Sequence, residues 1–123
     1  MTGIIFSQNS KTIDLCFNVC SELGIGLLKI KDFPTLLIEI QNDKANLLII
    51  DCESGNDCLK WIRIIKKINY HLPVIVICDN PENIDGGRFY EEGVFNISQR
   101  PLSEELFKEI IEASIKNKLN KNN

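Results

Sequence analysis

Short apolar runs alternate along this chain with longer segments whose apolar residues recur at helical spacing. Two of the runs, LLIID (47–51) and PVIVIC (73–78), are apolar for nearly their whole length. A strand of this kind is typically buried on both faces, as in a parallel sheet covered by helices. The alternation therefore predicts an α/β fold in which parallel strands form the middle layer.

Five strand–helix units can be read along the sequence. The predicted strands are residues 3–7, 25–30, 47–51, 73–78 and 94–98, and the predicted helices lie within 10–24, 34–43, 57–68, 82–92 and 103–118. Ser10 and Ser103 are expected N-caps, and Gly24 is expected to end the first helix. Gly86 and Gly87 predict a short fourth helix, because glycine lowers helix stability by about 1 kcal/mol relative to alanine.

Two helices have apolar positions that the spacing assigns to the core. In the first helix these positions are Ile13, Cys16, Phe17, Cys20 and Leu23. In the third helix, Arg63, Lys66 and Lys67 fall on the opposite side from the apolar residues, so we expect all three to be exposed.

Length and charge limit the class of protein. The chain has 123 residues, which suits a single compact domain. We expect that domain to span residues 1–119, with a frayed tail at 120–123. The formal net charge of −3 favours neither nucleic acid nor an anionic membrane as a partner. No apolar run approaches the length that spans a bilayer, and no signal peptide is recognisable, so a cytoplasmic protein is expected.

Five cysteines are spread through the sequence, at positions 16, 20, 52, 58 and 78. An odd number in this distribution argues against a disulfide framework and predicts reduced thiols. Cys16 and Cys20 are four residues apart and would share one face of the first helix. With a single histidine in the chain, His71, a structural zinc site is not expected.

Asp51 closes the first fully apolar run, where a carboxylate is costly unless it is bound or reactive. The carboxyl ends of parallel strands meet at one edge of the sheet, and ligands bind at that edge near the topological switch point. Cys78, at the end of PVIVIC, lies at the same predicted edge. These two residues are the first candidates for a functional site.

Several landmarks, in their order along the whole chain, resemble the receiver domain of two-component response regulators. The landmarks are Asp51 at the end of LLIID, Gly55 in the loop after it, PVIVIC followed by Asp79, Gly93-Val94, and Arg100-Pro101. The resemblance implies the flavodoxin-like (βα)5 fold, a doubly wound parallel five-stranded sheet with helices on both faces. It also implies that Asp51 occupies the phosphate-accepting position.

The acidic pair that helps receiver domains to hold Mg²⁺ falls on Ser7 and Gln8 in this sequence. A hydroxyl and an amide are poor substitutes, because Mg²⁺ is small and prefers carboxylate oxygens in a tight octahedral shell. Glu53 and Asp79 flank the same end of the sheet and are candidates for substitute ligands. Magnesium, held by Asp51 and Glu53, is therefore the only cofactor that the sequence suggests.

Other positions around the same pocket also depart from the receiver pattern. Cys78 replaces the threonine or serine that bonds the phosphoryl group, Arg100 replaces the lysine, and Ile97 replaces an aromatic residue. A thiol is a weaker hydrogen-bond donor than a hydroxyl, and arginine keeps the charge of lysine but changes its shape. Asp79 stands where a small residue usually admits the phosphodonor. Arginine binds carboxylates readily, so Arg100 could pair with Asp51 without a metal ion.

Three functions are compatible with this pattern. The first is a degenerate receiver that works by protein–protein contact with a histidine kinase, another receiver or an output protein. The second is a working Mg²⁺-dependent phosphoacceptor at Asp51. The third is a redox sensor at Cys78, which needs a thiol of lowered pKa. An enzyme is not expected, because the sequence has no glycine-rich phosphate loop, no Ser-His or Cys-His set and no paired carboxylates.

The segment before the predicted fifth strand is the expected contact surface. Arg88, Phe89 and Tyr90 lie there, on the face through which receiver domains usually contact partners. Aromatic residues and arginine are enriched in interfaces, so a homodimer through this face is a further expectation. A place in the core suits one of the two aromatic side chains equally well. The sequence shows no DNA-binding segment, so it is interpreted as a single-domain regulator or as part of a larger one.

Overall fold

In a computed structural model, residues 1–53 and 57–121 are described, with side chains up to residue 117. The elements are strands β1 (Thr2–Phe6), β2 (Gly26–Ile30), β3 (Leu48–Asp51), β4 (Val74–Cys78) and β5 (Asn96–Gln99), and helices α1 (Ser10–Glu22), α2 (Phe33–Gln41), α3 (Cys58–Ile68), α4 (Gly86–Glu91) and α5 (Glu104–Lys121), with a 3₁₀ turn at Pro81–Asn83. The five predicted units are confirmed, and α4 is short. Helix α5 continues two residues past the boundary expected at 119, while Gly55 and residues 122–123 lie outside the described residues.

The five strands form one parallel sheet in the order β2-β1-β3-β4-β5. The direction of winding reverses at β1, because β2 is added on one side of it and β3 on the other. The predicted doubly wound, flavodoxin-like arrangement is therefore confirmed. The reversal leaves the carboxyl ends of β1 and β3 side by side, at the edge where such sheets bind ligands.

Side chains of the central strands alternate between two apolar layers. In β3, Leu48 and Ile50 face one layer and Ile49 faces the other. The first layer packs under α2, α3 and α4, and the second packs under α1 and α5. Every residue of β3 and β4 is buried, as the two fully apolar runs predict. None of the helices in the described ranges is long and apolar enough to cross a membrane.

The start and the exposed side of α1 differ from the prediction. The N-cap is Asn9 rather than Ser10, because Asn9 Oδ1 accepts a hydrogen bond from the Thr12 amide at 3.0 Å. Phe17 was expected in the core and is 39% exposed. The stripe of α1 that meets the sheet runs through Thr12 and Cys16, which leaves position 17 at its margin.

Lys66 is buried, contrary to its predicted place on the exposed side of α3. Its ammonium group donates hydrogen bonds to the backbone carbonyls of Tyr70 at 3.0 Å and Leu72 at 2.7 Å. Carbonyls near a helix C-terminus attract a cation, and the long aliphatic stem of lysine is easily buried. Arg63 and Lys67 are exposed as predicted.

Two of the five cysteines are paired, so the prediction of reduced thiols throughout is wrong. Cys52 and Cys58 are joined by a disulfide, with their Cα atoms 5.7 Å apart. The pairing is possible because both side chains belong to the apolar layer under α2, α3 and α4. Cys16, Cys20 and Cys78 are free and buried.

Two glycines of positive φ provide a matched test of packing at Lys66. A Cβ added at Gly24 (φ +72°) would have no described neighbour within 4 Å, whereas one added at Gly93 (φ +94°) would lie 3.3 Å from Lys66 Cε. Alanine at either position costs about 1–2 kcal/mol of backbone strain. We expect Gly93→Ala to lower the free energy of unfolding by more than Gly24→Ala, because the buried lysine must also move. Urea unfolding followed by Trp61 fluorescence measures both losses, and equal losses would contradict the expectation.

Candidate functional site

Four strand ends bring the predicted site residues to one edge of the sheet. Ser7 follows β1, Asp51 ends β3, Cys78 ends β4 with Asp79 directly after it, and Arg100 follows β5. The Arg100 amide donates a hydrogen bond to the Cys78 carbonyl oxygen at 2.9 Å, which fixes the start of the β5–α5 connection beside β4. The candidates Asp51, Cys78 and Arg100 therefore lie on the same edge.

Asp51 is a buried carboxylate that is held by two donors. Its side chain is 2% exposed. The Oδ2 atom accepts hydrogen bonds from Ser7 Oγ at 2.8 Å and from Arg100 Nη1 at 2.6 Å. Removing a carboxylate from water is costly, and a charge-assisted bond to a guanidinium offsets that cost without a metal ion.

Arg100 connects two carboxylates. Its Nη1 atom binds Asp51 and also donates to Thr12 Oγ1 at 3.3 Å, while its Nε atom donates to Asp79 Oδ1 at 2.7 Å. The hydrogen bond to Asp79, and then that to Asp51, raise the pKa of Arg100, so the guanidinium keeps its charge. The expected Arg100–Asp51 pair is present, through one nitrogen of the guanidinium.

Asp79 lies on the solvent side of this network. Its side chain is 72% exposed, and the hydrogen bond from Arg100 lowers the pKa of its carboxyl group. The Gln99 side-chain amide donates to the Asp79 carbonyl oxygen at 3.1 Å, which holds the backbone after β4. The guanidinium of Arg100 thus binds the exposed Asp79 through Nε and the buried Asp51 through Nη1, so Asp79 helps to orient it.

Ser7 and Gln8, at the positions of the acidic pair, have different surroundings. Ser7 is buried, and its hydroxyl oxygen donates to Asp51 and accepts from the Asn9 amide at 3.0 Å. Gln8 is exposed. Ser7 is therefore an integral part of the Asp51 network, which the sequence did not indicate.

The donor set around Asp51 is a poor fit for Mg²⁺. One oxygen, Asp51 Oδ1, is buried and accepts no hydrogen bond from any described residue, so it could face a cation. The other oxygen is bound by Arg100, whose positive charge opposes a divalent ion at that place. Glu53 is exposed. Over the described parts of the chain, no three histidine, cysteine or acidic side chains are grouped as a metal site, whereas Mg²⁺ prefers several carboxylate oxygens.

Cys78 is buried beside the ion pair, where a thiolate is disfavoured. Burial is the main cause that raises the pKa of its thiol; Arg100 acts in the opposite direction, and Asp79 and Asp51 add to the increase. A redox sensor at Cys78 needs a lowered pKa, so this environment does not support that hypothesis. Burial likewise raises the pKa of Cys16 to about 12, with smaller contributions from other charges.

Thr12 is a neighbour of the site that the sequence analysis did not identify. It is buried on α1 and accepts a hydrogen bond from Arg100. Thr12 and Cys16 lie one turn apart on the same face of the helix. A polar residue in line with the apolar stripe is the one feature of the sequence that could have indicated a buried polar contact at Thr12. Which face of α1 meets the strand ends depends on the packed structure, so the contact was not predictable from spacing alone.

The expected contact face is divided between core and surface. Phe89 is buried in the layer under α4, whereas Arg88 and Tyr90 are exposed. The Tyr90 hydroxyl accepts a hydrogen bond from the Ile97 amide at 3.2 Å, which ties α4 to β5. Phe89 therefore anchors the helix and is the one aromatic side chain of the two that lies in the core, which the sequence allowed, while Tyr90 stays on the surface.

Neither a protein-family profile nor a curated protein sequence matches the chain. Solved structures match it along nearly its whole length. The response regulator receiver domain protein from Clostridium thermocellum is 19% identical, with 95% of each chain covered and a TM-score of 0.81. The CheY-like receiver domain protein from Methanospirillum hungatei is 14% identical, with 98% of this chain and 97% of that chain covered and a TM-score of 0.82.

NtrX from Brucella abortus, solved in complex with ADP, is 22% identical, with a TM-score of 0.83. The match covers 98% of this chain and 27% of the NtrX chain, so this chain spans about a quarter of that protein. The chain therefore has the fold of response regulator receiver domains, as the resemblance implied.

Replacement of Arg100 tests its role as the internal counter-ion of Asp51. Arg100→Ala leaves Asp51 buried without a positive partner, so we expect the free energy of unfolding to fall by roughly 3 kcal/mol. Arg63→Ala is the matched control, because it breaks an exposed 2.7 Å pair with Glu92 and should cost less than about 1 kcal/mol. Urea denaturation measures both values, and similar small losses would contradict the role of Arg100.

The buried thiols predict a loss of stability at alkaline pH. Burial raises the pKa of Cys16 to about 12 and of Cys20 to about 11, from an ordinary value of 9.0. The thiols ionise more easily in the unfolded chain, so their contribution is complete below pH 9.0 and is lost as the pH rises toward the folded-state values. Cys16→Ala should therefore flatten the decline in unfolding free energy above pH 9.0. An unchanged slope in denaturation curves would refute this assignment.

Proposed function

We propose that this chain is a receiver-like signalling module that works through protein–protein contacts and does not depend on phosphorylation of Asp51. The observation that carries the proposal is the network in which Ser7 and Arg100 bind the same oxygen of Asp51. A cation that belongs to the chain thereby compensates the carboxylate that a metal ion and a phosphoryl group would otherwise engage. Residues of the chain itself, and not a metal ion or a phosphoryl group, therefore hold this edge of the sheet in its conformation.

Phosphoryl transfer to Asp51 would meet three obstacles. The side chain is almost fully buried, so a phosphodonor cannot reach it in this conformation. Its Oδ2 atom is engaged by two hydrogen bonds. The guanidinium of Arg100 is shared with Asp79, so its single charge is already largely compensated before an anionic phosphoryl group arrives.

The exposed surface near α4 and α5 suggests the class of partner. Arg88 and Tyr90 of α4 and Leu106 of α5 are all exposed. Arginine and aromatic side chains are enriched at interfaces, and apolar ones fill interface cores. A histidine kinase, another receiver or an output protein in the cytoplasm would fit this surface, and a second copy of the chain would give a homodimer. Phe89 would support the surface from beneath.

A working phosphoacceptor is the second candidate function, and one observation favours it. Asp51 Oδ1 accepts no hydrogen bond from any described residue, so its lone pairs are available to attack phosphorus. The new bond would join Oδ1 to phosphorus, and the donor's bond to phosphorus would break with its electron pair leaving on the donor. Glu53 and Asp79 would then be the candidates to supply further Mg²⁺ ligands.

Two-dimensional NMR distinguishes these candidates. Labelled protein receives Mg²⁺ and then beryllofluoride, which mimics a phosphoryl group on a receiver aspartate. We expect the amide resonances of Asp51, Arg100 and Ile97 to stay in place at both additions, because Arg100 already occupies the carboxylate. Shifts that spread from Asp51 toward Ile97 would establish a working acceptor and overturn the proposal.

A variant with the receiver pattern restored provides the positive control for this experiment. Ser7→Asp, Gln8→Asp and Arg100→Lys together restore the acidic pair and the lysine of the receiver pattern and remove the guanidinium, so Mg²⁺ should shift the resonances around Asp51. Gln8→Asp alone changes an exposed residue and leaves the Asp51 network intact, so it should behave like the unaltered chain.

A further inference from the structure

We propose that Cys52 and Cys58 form a reversible redox pair, a modification site that is separate from both Cys78 and the Asp51 ion pair. Their Cα atoms lie 5.7 Å apart, within the range that a disulfide spans, and the two sulfurs are joined. Both side chains are buried, at 2% and 4% exposure, in the apolar layer under α2, α3 and α4. The inference goes beyond the proposed function and does not depend on it.

The pair connects the edge of the sheet to the first turn of a helix. Cys52 directly follows Asp51, and its amide donates to the Ile77 carbonyl oxygen at 2.8 Å, so it is anchored to the sheet edge. Cys58 is the first residue of α3. Among the described residues, the N-cap of that helix, Asp57, makes no side-chain capping hydrogen bond. The disulfide therefore holds the first turn of α3 to the sheet edge. In many helices a capping side chain restrains this turn instead.

Selectivity for this pair follows from the surroundings of the other three thiols. Cys16 and Cys20 belong to the layer on the opposite face of the sheet, under α1 and α5. Cys16, Cys20 and Cys78 are unpaired in the described structure, whereas Cys52 and Cys58 are the two cysteines that lie close enough to be joined. Cys52 and Cys58 are six positions apart in the sequence, so closing the ring costs little loop entropy.

The reaction is thiol–disulfide exchange with a small disulfide of the oxidised glutathione class. When local opening at the start of α3 exposes the buried pair, one cysteine thiolate attacks a glutathione sulfur, which forms a mixed disulfide and releases one glutathione thiolate. The second cysteine thiolate then attacks the protein sulfur of that mixed disulfide and releases the second glutathione. The protein loses two electrons and two protons, and one oxidised glutathione becomes two reduced molecules. Excess reduced glutathione runs the same steps in reverse.

The consequence is a covalent link, made or broken by the exchange, between the residue after Asp51 and the first residue of α3. In the oxidised form, Glu53 and Asp57 lie inside a ring closed by the disulfide; in the reduced form, the same residues are tethered only by the chain. The oxidised form therefore holds the start of α3 to the end of β3, and the exchange does not involve the side chains of the Arg100–Asp51 pair.

Counting of thiols in glutathione buffers tests the proposal on the unaltered protein. Samples equilibrated at increasing ratios of reduced to oxidised glutathione are quenched in acid, unfolded, alkylated and analysed by mass spectrometry. We expect the number of alkylated thiols to rise from three to five as the buffer becomes reducing, with Cys52 and Cys58 as the pair that changes. Five alkylated thiols at every ratio, protection of other cysteines, or a pair that stays closed in excess reductant would each overturn it.

Amide exchange and two variants locate the effect. Oxidation should slow exchange at Cys52, Glu53 and Cys58 by roughly tenfold, since the ring restricts local opening, and should leave α1 unchanged. Cys78→Ser should keep the redox transition with one alkylated thiol fewer, whereas Cys58→Ser should abolish it. A Cys58→Ser protein that still forms an internal disulfide would contradict the assignment. The thiol count of the unaltered chain decides the matter even if a variant fails to fold.

Discussion

The ion pair between Asp51 and Arg100 is the interaction on which the rest of the site depends. A carboxylate at the end of a fully buried strand is tolerated only if a partner compensates its charge. The doubly wound topology brings that partner from β5, across β4, to the end of β3. Ser7 from the end of β1 completes the contact, so one carboxylate draws together the ends of three strands.

A built-in counter-ion gives the chain a different chemistry from one that borrows a metal ion. A bound ion can leave, and a phosphoryl group can be added or removed, so a site that uses them has two states. Arg100 is covalently part of the chain and is held by Asp79 as well as by Asp51. Under the proposed function, the same fold supports a module whose contact surfaces need neither a metal ion nor a phosphoryl group, and the proposed Cys52–Cys58 exchange makes or breaks a separate link between the end of β3 and the start of α3.

Strand positions were predictable from the sequence because burial on both faces leaves unbroken apolar runs, as in β3 and β4. The meeting of Asp51 and Arg100 was predictable because parallel strands share a carboxyl edge. The Asn9 cap and the burial of Lys66 were not, because each depends on a specific hydrogen bond formed after packing. The Cys52–Cys58 pairing depends on where α3 begins relative to the end of β3 in the packed structure, which residue spacing does not determine.

A double-mutant cycle measures the central interaction most directly. Unfolding free energies are determined for Asp51→Asn, Arg100→Ala and the double variant, and a parallel cycle with Asp79→Asn serves as the exposed comparison. We predict a coupling energy above about 1.5 kcal/mol between Asp51 and Arg100, and one below about 0.5 kcal/mol between Asp79 and Arg100. A negligible coupling between Asp51 and Arg100 would show that the buried carboxylate is compensated elsewhere, and the account of this site would be wrong.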